Sequence, residues 1–293
     1  MRWDLEIAAR RVLEPIRRRM SRARAGTAGA PLVPATAGRL VELVGPSGVG
    51  KSTLVDLFLS RARGEWLCRE EIAAFGDDLG DRDAGDGVHA TLFKQRLATV
   101  AASDRGAWRS IRTCAYYGSI VENDLKVARG TLPRGVVLDE GLCQVFASEL
   151  LTLPEAVFRT AMRGRAIVLL GARDPRRVVA QTRERTRRTG RIREVHAGTS
   201  DDELARIVQR HAALLERLAA RAEAAGTPLL RLAAESPLAD NAAALERFAR
   251  AVPARPGSRE RSPAVVRIDG GLEGAGCAVS PSAASIGGSA PRR

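Results

Sequence analysis

Hydrophobic positions along the chain fall into short unbroken runs that stop at a glycine or an acid. Between them lie stretches whose apolar residues recur every three or four positions. Leu40, Val41, Leu43 and Val44 form one β-type run ending at Gly45, and a helical pattern starts after Gly50 with Leu54, Val55, Leu57, Phe58 and Leu59. Val136, Val137 and Leu138 form a second run ending at Asp139, followed by helical segments to about residue 162. Residues 166–170 form a third, ending at Gly171 before a helix over 175–189. A fourth, 229–232, precedes a helix over about 239–252. Strands separated by helices predict an α/β fold with a parallel sheet, because parallel neighbours need crossover connections.

The flanks follow other patterns. Residues 2–24 carry eight arginines, with Leu5, Ala9, Val12, Leu13 and Ile16 at roughly helical spacing. This predicts a basic amphipathic helix, broken or kinked at Pro15. Such a helix suits contact with an anionic surface or nucleic acid, or packing of one face on the domain with the other in water. A Gly/Ala/Pro-rich linker closes the segment 1–38, the main domain spans 39–253, and the Pro, Gly, Ser and Ala of 254–293 predict a disordered tail. Asp77, Asp78, Asp81, Asp83 and Asp86 lie in a Gly-rich loop. Counting from Asp81, a calcium loop needs Gly at position six and Glu at twelve, where the chain has Asp86 and Leu92. A solvated loop is the expectation.

Composition narrows the classes. At 293 residues, 45% hydrophobic and 28% charged, the chain is in the globular range, and with only 4% aromatics its core must be aliphatic. Four cysteines without a CxxC pair argue against a zinc framework or disulfide scaffold and suit a reducing cytoplasm. No run approaches the length of a transmembrane helix. Peripheral contact with an anionic surface stays open.

The turn after the first strand carries the chemistry. Gly45-Pro46-Ser47-Gly48-Val49-Gly50-Lys51-Ser52 fits GxxxxGK[ST], and Thr53 follows. Its glycines let successive N–H groups curl toward phosphate oxygens, and the next helix brings its positive dipole end to the same point. Lys51 is placed to bridge the β- and γ-phosphates of ATP, and Ser52 to coordinate Mg²⁺. A second oxygen ligand is needed from a neighbouring strand end. Asp139 fits that role, and Glu140 beside it can accept a proton from an attacking hydroxyl or water.

The net charge of +13 is concentrated in an arginine-rich stretch, 159–193. Guanidinium groups closing over a transferring phosphoryl group stabilise its charge, which assigns Arg183 and Arg187, with Arg185 and Arg188, to a lid. Nucleic-acid binding and a plain solvated face are the other readings of this helix.

Over residues 39–252 the chain resembles the P-loop nucleoside and nucleotide kinases, the superfamily that includes thymidylate kinase. The loop Gly45 to Leu54 reads like that of guanylate kinase. Residues 101–105 look like the thymidylate-kinase segment that presents an arginine, here Arg105, to the acceptor's phosphate; 172–175 is similar to the lid-bearing segment. The chain departs at Ser47, where thymidylate kinases usually carry an acid, and at Asp139-Glu140-Gly141, where they carry Asp-Arg-aromatic. The guanylate-specific acceptor segment is also missing. The resemblance implies a three-layer P-loop fold and Mg²⁺-dependent transfer of the ATP γ-phosphoryl group to a small acceptor held between the 65–130 helices and the lid. A P-loop ATPase or regulatory switch, with Glu140 polarising water, is the alternative. The acceptor and the oligomeric state stay open.

Overall fold

The computed structural model describes residues 38–62, 64–73, 87–103, 106–128, 132–190 and 198–253. The predicted basic helix, the acidic loop at 77–86, Arg105 and the predicted tail lie outside the described residues. The four hydrophobic runs are strands β1 (Leu40–Val44), β3 (Gly135–Leu138), β4 (Arg165–Gly171) and β5 (Leu229–Ala233). A fifth, β2 (Trp66–Leu67), escapes hydrophobic periodicity because two residues are too few to show a period. All pairings are parallel, in the order β2-β3-β1-β4-β5.

Helix α1 (Lys51–Arg61) follows β1, and α2 (Arg69–Ala73), α3 (Gly87–Ala101) and α4 (Ala107–Ala128) follow β2. Short helices α5 (Leu142–Val145), α6 (Ala147–Thr152) and α7 (Glu155–Met162) lie between β3 and β4. Then come α8 (Pro175–Thr189), α9 (Asp201–Ala224) and, after β5, α10 (Leu238–Ala251). Local chemistry sets several boundaries. Asp174 caps α8 by accepting the Arg176 N–H at 2.9 Å, Pro175 opens it, and Gly190 at φ 64° ends it. Ser200 caps α9 the same way, with Asp201, Asp202 and Glu203 in its first turn.

Both faces of the sheet are covered, so its central strands are apolar at every position but one or two. Along β4, Ala166, Val168 and Leu170 pack with α1, α8 and α10, while Ile167 and Leu169 pack with α5, α6, α7 and α9. This is the three-layer α/β fold of the P-loop NTPase type.

The exceptions on the central strands are charged. Glu42, in mid-β1, and Arg165, opening β4, are both buried, with Arg165 Nη1 3.3 Å from Glu42 Oε2. Arg165 Nη2 also bonds the buried Asp124 of α4, and Asp124 Oδ2 lies 2.7 Å from His89 Nε2 of α3. This knot ties β1, β4, α3 and α4 together. Burial pushes the Glu42 carboxyl above its ordinary value, an effect the Arg165 charge only partly offsets. For Asp124 burial also acts upward, but Arg165 and His89 outweigh it and the carboxyl is held well below its ordinary range.

Candidate active site

In register, Leu40 pairs with Val136 and Glu42 with Leu138, so the chain leaving β3 at Asp139 stands beside the turn leaving β1 at Gly45. That turn is compact for identifiable reasons. A Cβ on Gly45 would meet the Leu170 carbonyl oxygen at 2.4 Å. Gly48 and Gly50 have φ of 90° and 104°, which L side chains rarely adopt. Gly48 also abuts α8, where a Cβ would fall 2.3 Å from Thr182 Oγ1. Lys51 Nζ folds back on the loop, donating to the carbonyls of Gly45 at 2.6 Å and Pro46 at 3.1 Å.

The Ser52 hydroxyl donates to Asp139 Oδ2 at 2.5 Å across 87 residues of sequence. A hydroxyl and a carboxylate are hard oxygen donors of the kind Mg²⁺ takes at phosphate loops, where few protein ligands suffice. Among the described residues no group of three or more His, Cys, Asp or Glu side chains gathers in a metal-binding cluster.

These groups open onto a cavity of about 1080 Å³. Its walls include 47–54 of the loop and α1, Asp139 and Glu140 after β3, and Tyr116 and Tyr117 of α4. Glu140 is held from two sides. The Tyr116 hydroxyl donates to its Oε2 at 3.0 Å, and Arg69 Nη1 lies 3.2 Å from the same oxygen. Arg69 in turn bonds Ser119 Oγ at 3.1 Å and lies over the Tyr116 ring, 5.2 Å from its centre. A carboxylate so fixed keeps its position.

Helix α8 forms another wall, with two of the four arginines assigned to a lid in sequence, Arg185 and Arg188, and with Arg177. Val178, Val179 and Thr182 are buried, which turns Arg177, Gln181, Arg185, Arg188 and Thr189 to the cavity. Arg183 is placed elsewhere, 2.9 Å from Asp201 Oδ1 and bonded to the Thr199 carbonyl, and Arg187 pairs with Glu184 at 2.7 Å. Neither lines the cavity. Residues 234–238 and Asn241 close the side beyond β5.

Two further participants gave no motif. Gln144 Oε1 accepts the Gly45 N–H at 2.9 Å while its own N–H donates to Glu42 Oε1 at 2.9 Å, linking the phosphate loop to the buried knot. His211 of α9 also faces the cavity. Gln144 lies 99 residues from Gly45, beyond any local pattern, whereas His211 interrupts an apolar one.

No protein-family model and no curated protein matches the chain. Solved structures similar to it include deoxyadenosine kinase from M. mycoides with bound dATP, at 11% identity over 71% of this chain and 97% of that one, with a TM-score of 0.37. A gluconokinase from Sinorhizobium meliloti 1021 aligns at 14% identity over 74% and 91%, TM-score 0.29. EHV4-TK complexed with TP4A aligns at 15% over 72% and 90%, TM-score 0.31. The sheet order and glycine loop described above give this chain its P-loop NTPase-type fold independently of these likenesses.

Proposed function

We propose that the chain is a phosphotransferase that moves the γ-phosphoryl group of ATP to a hydroxyl of a small acceptor. The carrying observation is that a phosphate loop, a strand-end acid on its serine and a second, separately braced carboxylate open onto one cavity. At about 1080 Å³ the cavity has room for a nucleoside triphosphate and a small acceptor together. The loop N–H groups and Lys51 hold the β- and γ-phosphates, and Arg177, Arg185 and Arg188 supply positive charge from α8. Mg²⁺, held by Ser52 and Asp139, would neutralise charge on the terminal phosphates.

Glu140 accepts the acceptor's hydroxyl proton as the new O–P bond forms, and the bond to the β–γ bridging oxygen breaks to leave ADP. Tyr116 and Arg69 keep this carboxylate aimed into the cavity, which converts a chance encounter into a fixed geometry. The reading is tested by incubating the protein with ATP, Mg²⁺ and panels of nucleosides, nucleotides, sugars and small alcohols. A phosphorylated acceptor formed in step with ADP is the expected result. Hydrolysis to inorganic phosphate at a rate no acceptor changes would instead favour the ATPase reading.

A further inference from the structure

Helix α9 is built on a seam of buried residues spaced alternately by four and three: Leu204, Val208, then position 211, then Leu215, Leu218 and Ala222. Position 211 falls where this pattern calls for another aliphatic side chain, and it holds a histidine. The ring is partly buried and lines the cavity together with Lys51, Arg185 and Arg188. Among the described residues it makes no hydrogen bond or ion pair. A histidine here forfeits some seam hydrophobicity, and its polar edge is open to a group that enters the cavity.

We propose that His211 is a further contact for the terminal phosphates of the bound nucleoside triphosphate, donating a ring N–H to a phosphate oxygen from α9. The inference rests on the ATP site proposed above and adds to it a residue outside the phosphate loop.

The charges around the ring give the contact a signature. The Lys51 charge acts on it from α1, and Arg177, Arg185 and Arg188 share the cavity from α8. The ionisable groups of the other packed elements are already engaged: Glu149 of α6 by Arg96, Arg165 of β4 by Glu42 and Asp124, and Arg231 of β5 by Glu216 and Glu223. Asp139 and Glu140 stand at the β3 end of the cavity, and Asp56 of α1 and Glu235 beyond β5 line it as well. Burial, with the Lys51 charge, holds the imidazole below its ordinary value and therefore neutral at pH 7. A triphosphate seated beside Lys51 brings negative charge to the ring and draws a proton onto it.

The test is calorimetry of the full chain with ATP and with ADP, each with Mg²⁺, at pH 7 in two buffers of different ionisation enthalpy. His211→Leu completes the apolar seam, so a packing role predicts unchanged or higher thermal stability and unchanged ATP affinity. The proposal predicts roughly tenfold or greater loss of ATP affinity, a smaller loss for ADP, and disappearance of net proton uptake. His211→Gln, which keeps a donor but cannot titrate, serves if the leucine variant folds poorly; it should bind ATP better than the leucine variant and still take up no proton. Wild-type proton uptake in either variant, or wild-type ATP affinity in His211→Leu, overturns the proposal. A wild-type protein that binds neither nucleotide overturns the ATP site as well, which separates the two failures.

Discussion

Glu42 within β1 and the pair Asp139–Glu140 just past the neighbouring β3 do opposite work. Glu42 is three residues short of the phosphate loop, sealed inside β1 against Arg165, and burial raises its carboxyl's affinity for a proton. Asp139 and Glu140 are one and two residues past the end of β3, bonded to Ser52 and to Tyr116. The residue type is the same or nearly so; what differs is the position along the strand. Within the sheet an acid meets only protein and must be neutralised by it. Beyond the carboxyl end it meets the crevice where open α/β sheets take ligands. Gln144 joins the two regions by bonding both Glu42 and Gly45, so the buried group braces the exposed one.

The comparison breaks most sharply at the open end. Lys51→Ala should lower ATP-dependent turnover by on the order of 10³ with thermal stability little changed, and should weaken ATP binding more than AMP binding. Equal ATP affinity in mutant and parent, by calorimetry, would remove Lys51 from the site. At the buried end the effect moves from rate to folding. Arg165→Met leaves Asp124 charged and without its guanidinium, so chemical denaturation should show a loss of about 3–5 kcal/mol.

Glu42→Gln sharpens the contrast through pH. Because folding raises this carboxyl's affinity for its proton, the group favours the folded state fully below its unfolded value near 4.3, and that contribution is lost as pH rises toward the folded value. An amide has no proton to lose. Glu42→Gln should therefore be as stable as the parent or more so at neutral pH, with the advantage shrinking as pH falls through the raised folded value toward the unfolded one; denaturation midpoints across pH 4–8 measure it. The smallest effect belongs to the link. Gln144→Ala frees one neutral hydrogen bond at the Gly45 N–H, about 1 kcal/mol, and should appear as a several-fold weaker ATP affinity rather than as unfolding.

The pattern of legibility follows the same division. The main strands, the glycine turn and the placement of Asp139 beside it could be read because apolar runs end where the chain leaves the sheet. The faces of α8 were also readable in principle: Val178, Val179 and Thr182 define the buried side, which sends Arg185 and Arg188 to the cavity and Arg183 and Arg187 away from it. Charge density alone does not carry that information. His211 had a signal too, as the polar interruption of the α9 seam. Arg69, Tyr116 and Gln144 had none, since each acts on a residue 24 to 99 positions away through the packing of separate helices. Glu42 looks in sequence like an interruption of a strand, and only the arginine opening β4 explains it.

In the proposed reaction Glu140 takes the acceptor's proton as the γ-phosphoryl group leaves ATP. The most direct measurement follows γ-labelled ATP in single turnover, with Mg²⁺ and an acceptor found by the panel screen, in the parent and in Glu140→Gln. Label should pass to the acceptor in the parent. Glu140→Gln should keep its ATP affinity while transfer slows by roughly 10²-fold or more, as expected for loss of a general base. Transfer at the parent rate in Glu140→Gln would contradict it.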